Sequence, residues 1–345
     1  DATPPVDSFM EPGTVDPTVE GYYSYAKRDI VADIKVTKET RKYVLKEVVF
    51  DLVLPADFVS TEPLEELRER VKEMRDRSDE KGARKTEIRY TVRMDYYEAK
   101  GEGKKPVIIV SPILGGNMIV NWFASFFASH GMHAAIVHRE KPKYDPTQPL
   151  TQAEAGFRKS VIRTRQALDW LLAQPNVDAE KAGSFGISYG ALVNTLVAAV
   201  EPRLKCHILA LAGGPISDLL LDSEERAIKK YVRSAATDAG YDIPRLREDL
   251  RKVIRSDTLA MAPYIAADDV ILIIALFDRV VRRPYSENLR RALGYPEVIY
   301  TPVGHYSTVL AIPYLKTKAL RFYRAKFYPE PPPGNRGILY SRESA

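Results

Sequence analysis

Residues 181–200 read KAGSFGISYGALVNTLVAAV. The first seven are mostly small or apolar, as in a strand buried on both faces. The last ten are almost wholly apolar and suit a buried helix. Between them stands Gly186-Ile187-Ser188-Tyr189-Gly190, a G-x-S-x-G pattern. A strand–turn–helix flanked by glycines holds its middle residue in a strained turn with the hydroxyl exposed. The helix start beyond it offers free N–H groups and a positive dipole end. Ser188 is therefore the candidate nucleophile. The bland alternative is a Gly-Ser turn that only packs the helix on the sheet. A dinucleotide loop fits poorly, because G-x-G-x-x-G is absent and this unit comes late in the chain.

Similar apolar strands lie on either side. VIIVSP from Val107, HAAIVH over 133–138, HILALAG over 207–213 and VILIIALF over 270–277 repeat the buried character, and IYTPV over 299–303 is a weaker version. Helical stretches separate them: 120–129, closed by Gly131; an amphipathic helix from Thr151 to Leu172; 191–200; and 286–294. Thr151 and Glu154 form a capping-box pattern. Alternating strands and helices predict a parallel sheet covered on both faces. Earlier, 43–54 reads as a strand limited by Pro55, 62–78 as a surface helix, and 87–99 as an antiparallel strand with one wet face. Residues 216–265 break the alternation with two charged helical patterns, 223–236 and 245–255, and read as a cap or lid insertion.

A serine hydroxyl needs a base to take its proton. Of five histidines, His305 lies in TPVGHYST just after the last strand and is the candidate base. His133, His138 and His207 lie at or in strands and read as packing residues. His130 and His133 have no third ligand nearby, so no metal site is expected. The imidazole needs a carboxylate to set its tautomer and stabilise its charge. Asp278 ends the strand VILIIALF and precedes His305 in the order serine, acid, histidine. Asp218, in GGPISD, is the competitor. Asp268 and Asp269 precede the strand and should lie at its wrong end.

With GISYG, LFDRVV and VGHYS in that order, the chain resembles the α/β-hydrolase superfamily over about residues 87–326. The resemblance implies an α/β-hydrolase fold: an eight-stranded, mostly parallel central sheet, helices on both faces, and a small helical cap. It also implies acyl transfer through an ester on Ser188. The domain reading is then 1–86 as an N-terminal extension (arm, strand and helix) packing on the core, 87–215 and 266–327 as the core, 216–265 as the cap, and 328–345 as a Pro-rich tail. Many relatives carry His-Gly-x after the strand equivalent to VIIVS; here Pro112-Ile113-Leu114-Gly115-Gly116 stands instead. By position the oxyanion donors are the backbone N–H groups of Leu114 and Tyr189, with Ile113 as the alternative to Leu114. Backbone donors do not depend on side-chain identity, and losing one costs about 3 kcal/mol in the barrier.

The expected activity is a serine carboxylic-ester hydrolase with a Ser188-His305-Asp278 triad. The alternatives are a peptidase, amidase or acyltransferase on the same triad, or a binding protein on the same fold, since the triad does not encode the leaving group. Tyr189 and Tyr306 flank the expected site. Trp122, Phe123, Phe126 and Phe127 read as core packing of their helix rather than an acyl pocket.

Composition narrows the rest. The 345 residues carry 51 basic and 46 acidic side chains, net +5, with an apolar fraction of 45%, which excludes disorder of the whole chain. One cysteine, Cys206, excludes an internal disulfide framework and is expected to be buried and inert. No apolar run reaches the roughly 18 residues of a membrane span. No dense Lys/Arg stripe is apparent, so the charge does not point to nucleic acid. The expected partner is a small ester substrate, with no cofactor and no metal. Residues 1–20, rich in Pro, Asp and Thr, read as an extended arm, compatible with an exported protein after removal of a signal.

Overall fold

Val107, Ile108, Ile109 and Val110 are all fully buried, yet they serve two different cores. Successive strand side chains point to opposite faces. Val107 and Ile109 join one apolar cluster and Ile108 and Val110 the other. A strand buried on both faces must lie inside a sheet covered by helices on both sides. The computed structural model describes residues 17–55, 58, 91–114, 116–139, 150–237 and 240–329. The expected helix over 62–78 lies outside them, as do residues 1–16 and 330–345.

Nine strands form one sheet in the order β1-β2-β3-β5-β4-β6-β7-β8-β9. They are β1 (Asp33–Glu39), β2 (Tyr43–Asp51), β3 (Thr91–Ala99), β4 (Lys105–Ser111), β5 (His133–Val137), β6 (Val177–Ile187), β7 (Leu204–Ala210), β8 (Val270–Ala275) and β9 (Glu297–Thr301). β1, β2, β3 and β5 pair antiparallel in turn, and every later pairing is parallel. The count corrects the expected eight. The additional strand is β1, DIKVTKE, exposed along its whole length. With no buried face it has none of the apolar alternation by which strands are read.

Helices α2 (Met118–Ser129) and α10 (Ile312–Phe327) cover one face, where Phe123, Phe127, Phe185 and Tyr323 meet. Phe123 and Phe127 are thus core residues, while Trp122 is 42% exposed. Helices α3 (Thr151–Leu172), α4 (Tyr189–Val200) and α9 (Arg283–Ala292) cover the other face. Between β7 and β8 stand α5 (Ile216–Asp222), α6 (Arg226–Thr237), α7 (Ile243–Val253) and α8 (Thr258–Met261), with no strand among the described residues.

Three local expectations fail for physical reasons. Residues 17–20 are not extended but open a short helix, α1 (Pro17–Tyr22), with Pro17 in its first turn. Thr151 and Glu154 make no capping box: the N-cap of α3 is Leu150, with no side-chain cap. Glu154 is instead buried and accepts four hydrogen bonds, from Tyr22 Oη and Ser256 Oγ at 2.7 Å and from the Arg255 and Ser256 amides at 2.9 Å. Arg158 and Arg255 lie over the Tyr22 ring, 4.1 and 4.2 Å from its centroid. Residues 22–25 are thereby locked between α3 and the 254–256 turn. Finally, α6 does carry a Lys/Arg stripe: Arg226, Lys229, Lys230 and Arg233 share one exposed helix face. The linear reading missed it because apolar residues alternate with these cations in the chain.

His207 is buried between β6 and β8, its Nδ1 2.9 Å from Ser184 Oγ. Burial lowers its pKa to about 4, although the Asp269 charge opposes the shift. An unfolded chain takes up that proton near pH 6.5. Native stability should therefore be full above about pH 6.5 and fall by up to about 3 kcal/mol as pH drops toward 4. Urea titrations near pH 7 and near pH 4.5 check this. His207→Gln should narrow the gap between the two stabilities, and an equal gap in both proteins would count against His207 as its source. His133 is also fully buried, with its pKa lowered by burial; its Nδ1 accepts from the Ala99 amide. Burial pushes the Cys206 thiol up, so it has no thiolate character near neutral pH.

Candidate active site

Ser188 follows β6 and caps α4 with φ 54° and ψ −123°. Few non-glycine residues adopt a positive φ, because the side chain crowds the backbone. The turn is closed by the glycines on either side. A Cβ on Gly186 would lie 2.5 Å from the Gly190 carbonyl oxygen, and one on Gly190 would collide with the Ser111 carbonyl. Only hydrogen at those two positions lets strand, turn and helix approach this closely. The Ser188 amide donates to Ala210 O at 2.8 Å, which ties the turn to the end of β7.

His305 stands in the loop between β9 and α10. Its Nε2 lies 3.0 Å from Ser188 Oγ, and its Nδ1 lies 2.7 Å from Asp278 Oδ2. Asp278 is buried just past β8. Its other oxygen, Oδ1, accepts from the amides of Val280 and Val281 at 2.8 and 2.9 Å. With Nδ1–H donating to the carboxylate, Nε2 is left free to accept from the serine hydroxyl. The two loops are stitched together: the Phe277 amide donates to Val303 O at 3.0 Å. Three residues from three strand ends thus meet at one sheet edge.

Asp218 is elsewhere engaged, accepting from Arg247 and Arg251 of α7. Asp268 and Asp269 lie at the N-terminal end of β8, and Asp269 pairs with Lys326. His138 lies 3.1 Å from Asp95, and exposed His130 lies 2.7 Å from Phe126 O. No group of His, Cys, Asp and Glu suited to a metal occurs among the described residues.

Ile113 and Leu114 follow β4. Their carbonyls accept from Arg139, at 3.5 and 2.6 Å. Arg139 was not anticipated as a site residue; its signal was a charged side chain two residues past a buried parallel strand. Fixing those carbonyls fixes the adjoining peptide planes, and hence where the segment's N–H groups point. The Tyr189 hydroxyl lies 3.1 Å from Ser160 Oγ in α3, with its ring against Phe157. Its side chain is thus held toward α3, and its backbone N–H is what remains for the turn. A shallow cleft with room for little more than a water molecule lies beside it, lined by Ser111, His138, Arg139, Ser160 and Arg163; neither Ser188 nor His305 lines it. Tyr306, next to His305, is 68% exposed and donates a short hydrogen bond to Glu225. That bond and partial burial push its phenol up to about 12. This contact between the His305 loop and the segment before α6 was also not anticipated, since no local pattern pairs residues so distant in sequence.

No protein-family model matches the chain. Uncharacterized proteins from two Mycobacterium tuberculosis strains, CDC 1551 / Oshkosh and ATCC 25618 / H37Rv, are 25% identical over 161 residues. That match covers 46% of this chain and 36% of theirs, so it spans about a third of the length of those relatives. Among solved structures, an acetyl xylan esterase from Paenibacillus sp. R4 superposes with a TM-score of 0.64 at 17% identity, covering 92% of this chain and 97% of that one. Acetyl xylan esterase 1 from Thermoanaerobacterium sp. JW/SL YS485 gives 0.62 at 16%, covering 89% and 96%. Together with the sheet order and the helices on both faces, these likenesses establish the fold: the chain has the α/β-hydrolase fold.

Proposed function

We propose that the chain is a serine hydrolase that cleaves carboxylic esters through an acyl-enzyme. The observation that carries this reading is the continuous chain from Ser188 Oγ through His305 to Asp278, at 3.0 and 2.7 Å. It begins on a serine whose backbone is held at positive φ. That two neighbours of the same fold are named esterases supports the substrate class.

In this reading Ser188 Oγ attacks the ester carbonyl while His305 Nε2 takes its proton. Asp278 stabilises the imidazolium that forms and does not take the proton itself. The backbone N–H groups of Leu114 and Tyr189 receive the oxyanion. The C–O bond to the alcohol then breaks, and His305 gives its proton to the departing oxygen. Water, deprotonated by the same imidazole, releases the acid and restores Ser188. Residues 216–265 serve as a cap, because Glu225 and the Glu224 amide contact the base and acid loops at Tyr306 and Arg279 O.

Treatment with a fluorophosphonate, followed by intact mass and peptide mapping, tests the reading. We expect one adduct, on Ser188, and hydrolysis of 4-nitrophenyl acetate that is lost with labelling. A folded protein that takes no label would sink it. Labelling without ester turnover would move the assignment to amide substrates.

A further inference from the structure

Helix α6 has two unlike faces. Ile228, Tyr231 and Val232 are half-buried and Ala235 is buried, at the spacing of one inward stripe. Arg226, Lys229, Lys230 and Arg233 occupy the opposite face at the same spacing and are exposed. None of these four cations has an ion-pair partner among the described residues. The next helix, α7, behaves differently: Arg245, Arg247, Arg251 and Lys252 all pair with carboxylates. Like charges three and four residues apart destabilise a helix, so an unrelieved stripe of four is a cost the fold carries.

The stripe is placed at the candidate site. The residue before it, Glu225, holds Tyr306 beside His305, and the Glu224 amide donates to Arg279 O at 3.3 Å. Arg226 lies near enough to Tyr306 for its charge to act there. Arg279, exposed and likewise without an ion-pair partner among the described residues, and exposed Arg282, whose charge reaches the Asp222 carboxylate, extend the basic rim along the Asp278 loop. From Arg226 the stripe leads away over two turns, roughly 10 Å at 1.5 Å per residue.

We propose that this stripe is a substrate subsite for a polyanion. The ester cleaved at Ser188 is carried on an acidic polysaccharide, whose carboxylates lie along Arg226, Lys229, Lys230 and Arg233. The proposal rests on the ester-hydrolase reading. Cations in a line rather than converging on a point suit repeated charges on a chain better than one carboxylate. A membrane surface fits less well, because a lipid-binding helix turns its apolar face outward. Here the apolar side, including Val232 and Ala235, is packed on the core.

The test compares acetylated polygalacturonate with acetylated, uncharged dextran of matched acetyl content. The proteins are the full chain and its K229Q/K230Q/R233Q variant, with circular dichroism to verify folding. Steering by a charged rim raises association by about 10-fold or more, so kcat/KM should favour the polyuronide ester by at least that factor at low salt. The preference should shrink below about threefold in roughly 0.5 M salt, where screening acts within a few ångströms. The variant should lose it while turning over 4-nitrophenyl acetate at the unchanged rate. Binding of unacetylated polygalacturonate, expected to weaken at least tenfold in the variant, reads the subsite without turnover. Equal rates on the two polymers overturn the proposal. So does a preference that survives the substitutions, or variant-sensitive binding to phosphatidylserine vesicles with no polymer preference. Failure to hydrolyse any ester while polygalacturonate binding persists would sink the hydrolase reading instead.

Discussion

Ser188→Ala should lower ester turnover by about a millionfold, the loss seen when the nucleophile of such a triad is removed. At 25 °C that is roughly 8 kcal/mol of barrier. Among the described residues, no other hydroxyl is bonded to His305 Nε2. His305 Nε2 faces Ser188 Oγ, and Ser111, the serine beneath the turn, donates instead to Asn194 Oδ1 at 2.5 Å. The fold should survive, because alanine meets the same backbone at φ 54° that serine already tolerates. Ser188→Gly sharpens the point. Glycine adopts positive φ at no steric cost, so releasing this turn should stabilise the protein by about 1 kcal/mol. Turnover should fall as far as with alanine. Thermal unfolding run beside 4-nitrophenyl acetate kinetics reads both effects. A Ser188→Gly protein less stable than the parent would mean the turn stores no strain. A Ser188→Ala protein keeping more than about a hundredth of the activity would move the nucleophile elsewhere, since triad losses are far larger.

Legibility followed burial. β4, β5, β7 and β8 were readable because strands covered on both faces are nearly continuous apolar runs, His133 and His207 being buried exceptions. β1 was not, because its seven residues face water on both sides and leave only charge and β-branching as a signal. The Thr151/Glu154 pattern misled for another reason. Glu154 has the local sequence of a cap, but donors from Tyr22, Arg255 and Ser256 meet it, and those lie more than a hundred residues away in the chain. A buried carboxylate bonded by four donors gains more than one facing a solvated helix end.

The candidate site divides in the same way. Ser188, Asp278 and His305 could be named from the chain because each follows a recognisable strand, and parallel strands put such loops at one edge of the sheet. Arg139 on the Ile113 and Leu114 carbonyls, and Glu225 on Tyr306, could not be named. Each is a contact between loops whose approach depends on the whole sheet order. The basic stripe of α6 lies between these cases: its period was in the sequence, but apolar residues interrupt it in one dimension.

Asp278→Asn should cost about ten-thousandfold in kcat/KM, the scale on which a misplaced imidazole proton is felt in such triads. The local hydrogen bonds make the direction of failure specific. Asp278 Oδ1 accepts from the Val280 and Val281 amides, so an asparagine must keep its carbonyl there. Turning the amide around would set its NH₂ against two buried N–H donors. The asparagine nitrogen then faces His305 Nδ1, where the carboxylate oxygen now sits at 2.7 Å. That nitrogen can only donate, so Nδ1 must accept and the ring proton moves to Nε2. A protonated Nε2 cannot take the proton of Ser188. Fluorophosphonate labelling of Ser188 should slow in parallel with ester turnover, because both need the same deprotonation. Asp218 provides the contrast. Its carboxylate holds Arg247 and Arg251, so Asp218→Asn should loosen α7 and lower the melting temperature while leaving the labelling rate of the folded protein within about threefold. The reverse pattern, with labelling abolished by Asp218→Asn and kept by Asp278→Asn, would assign the acid to Asp218 and require the base loop to move.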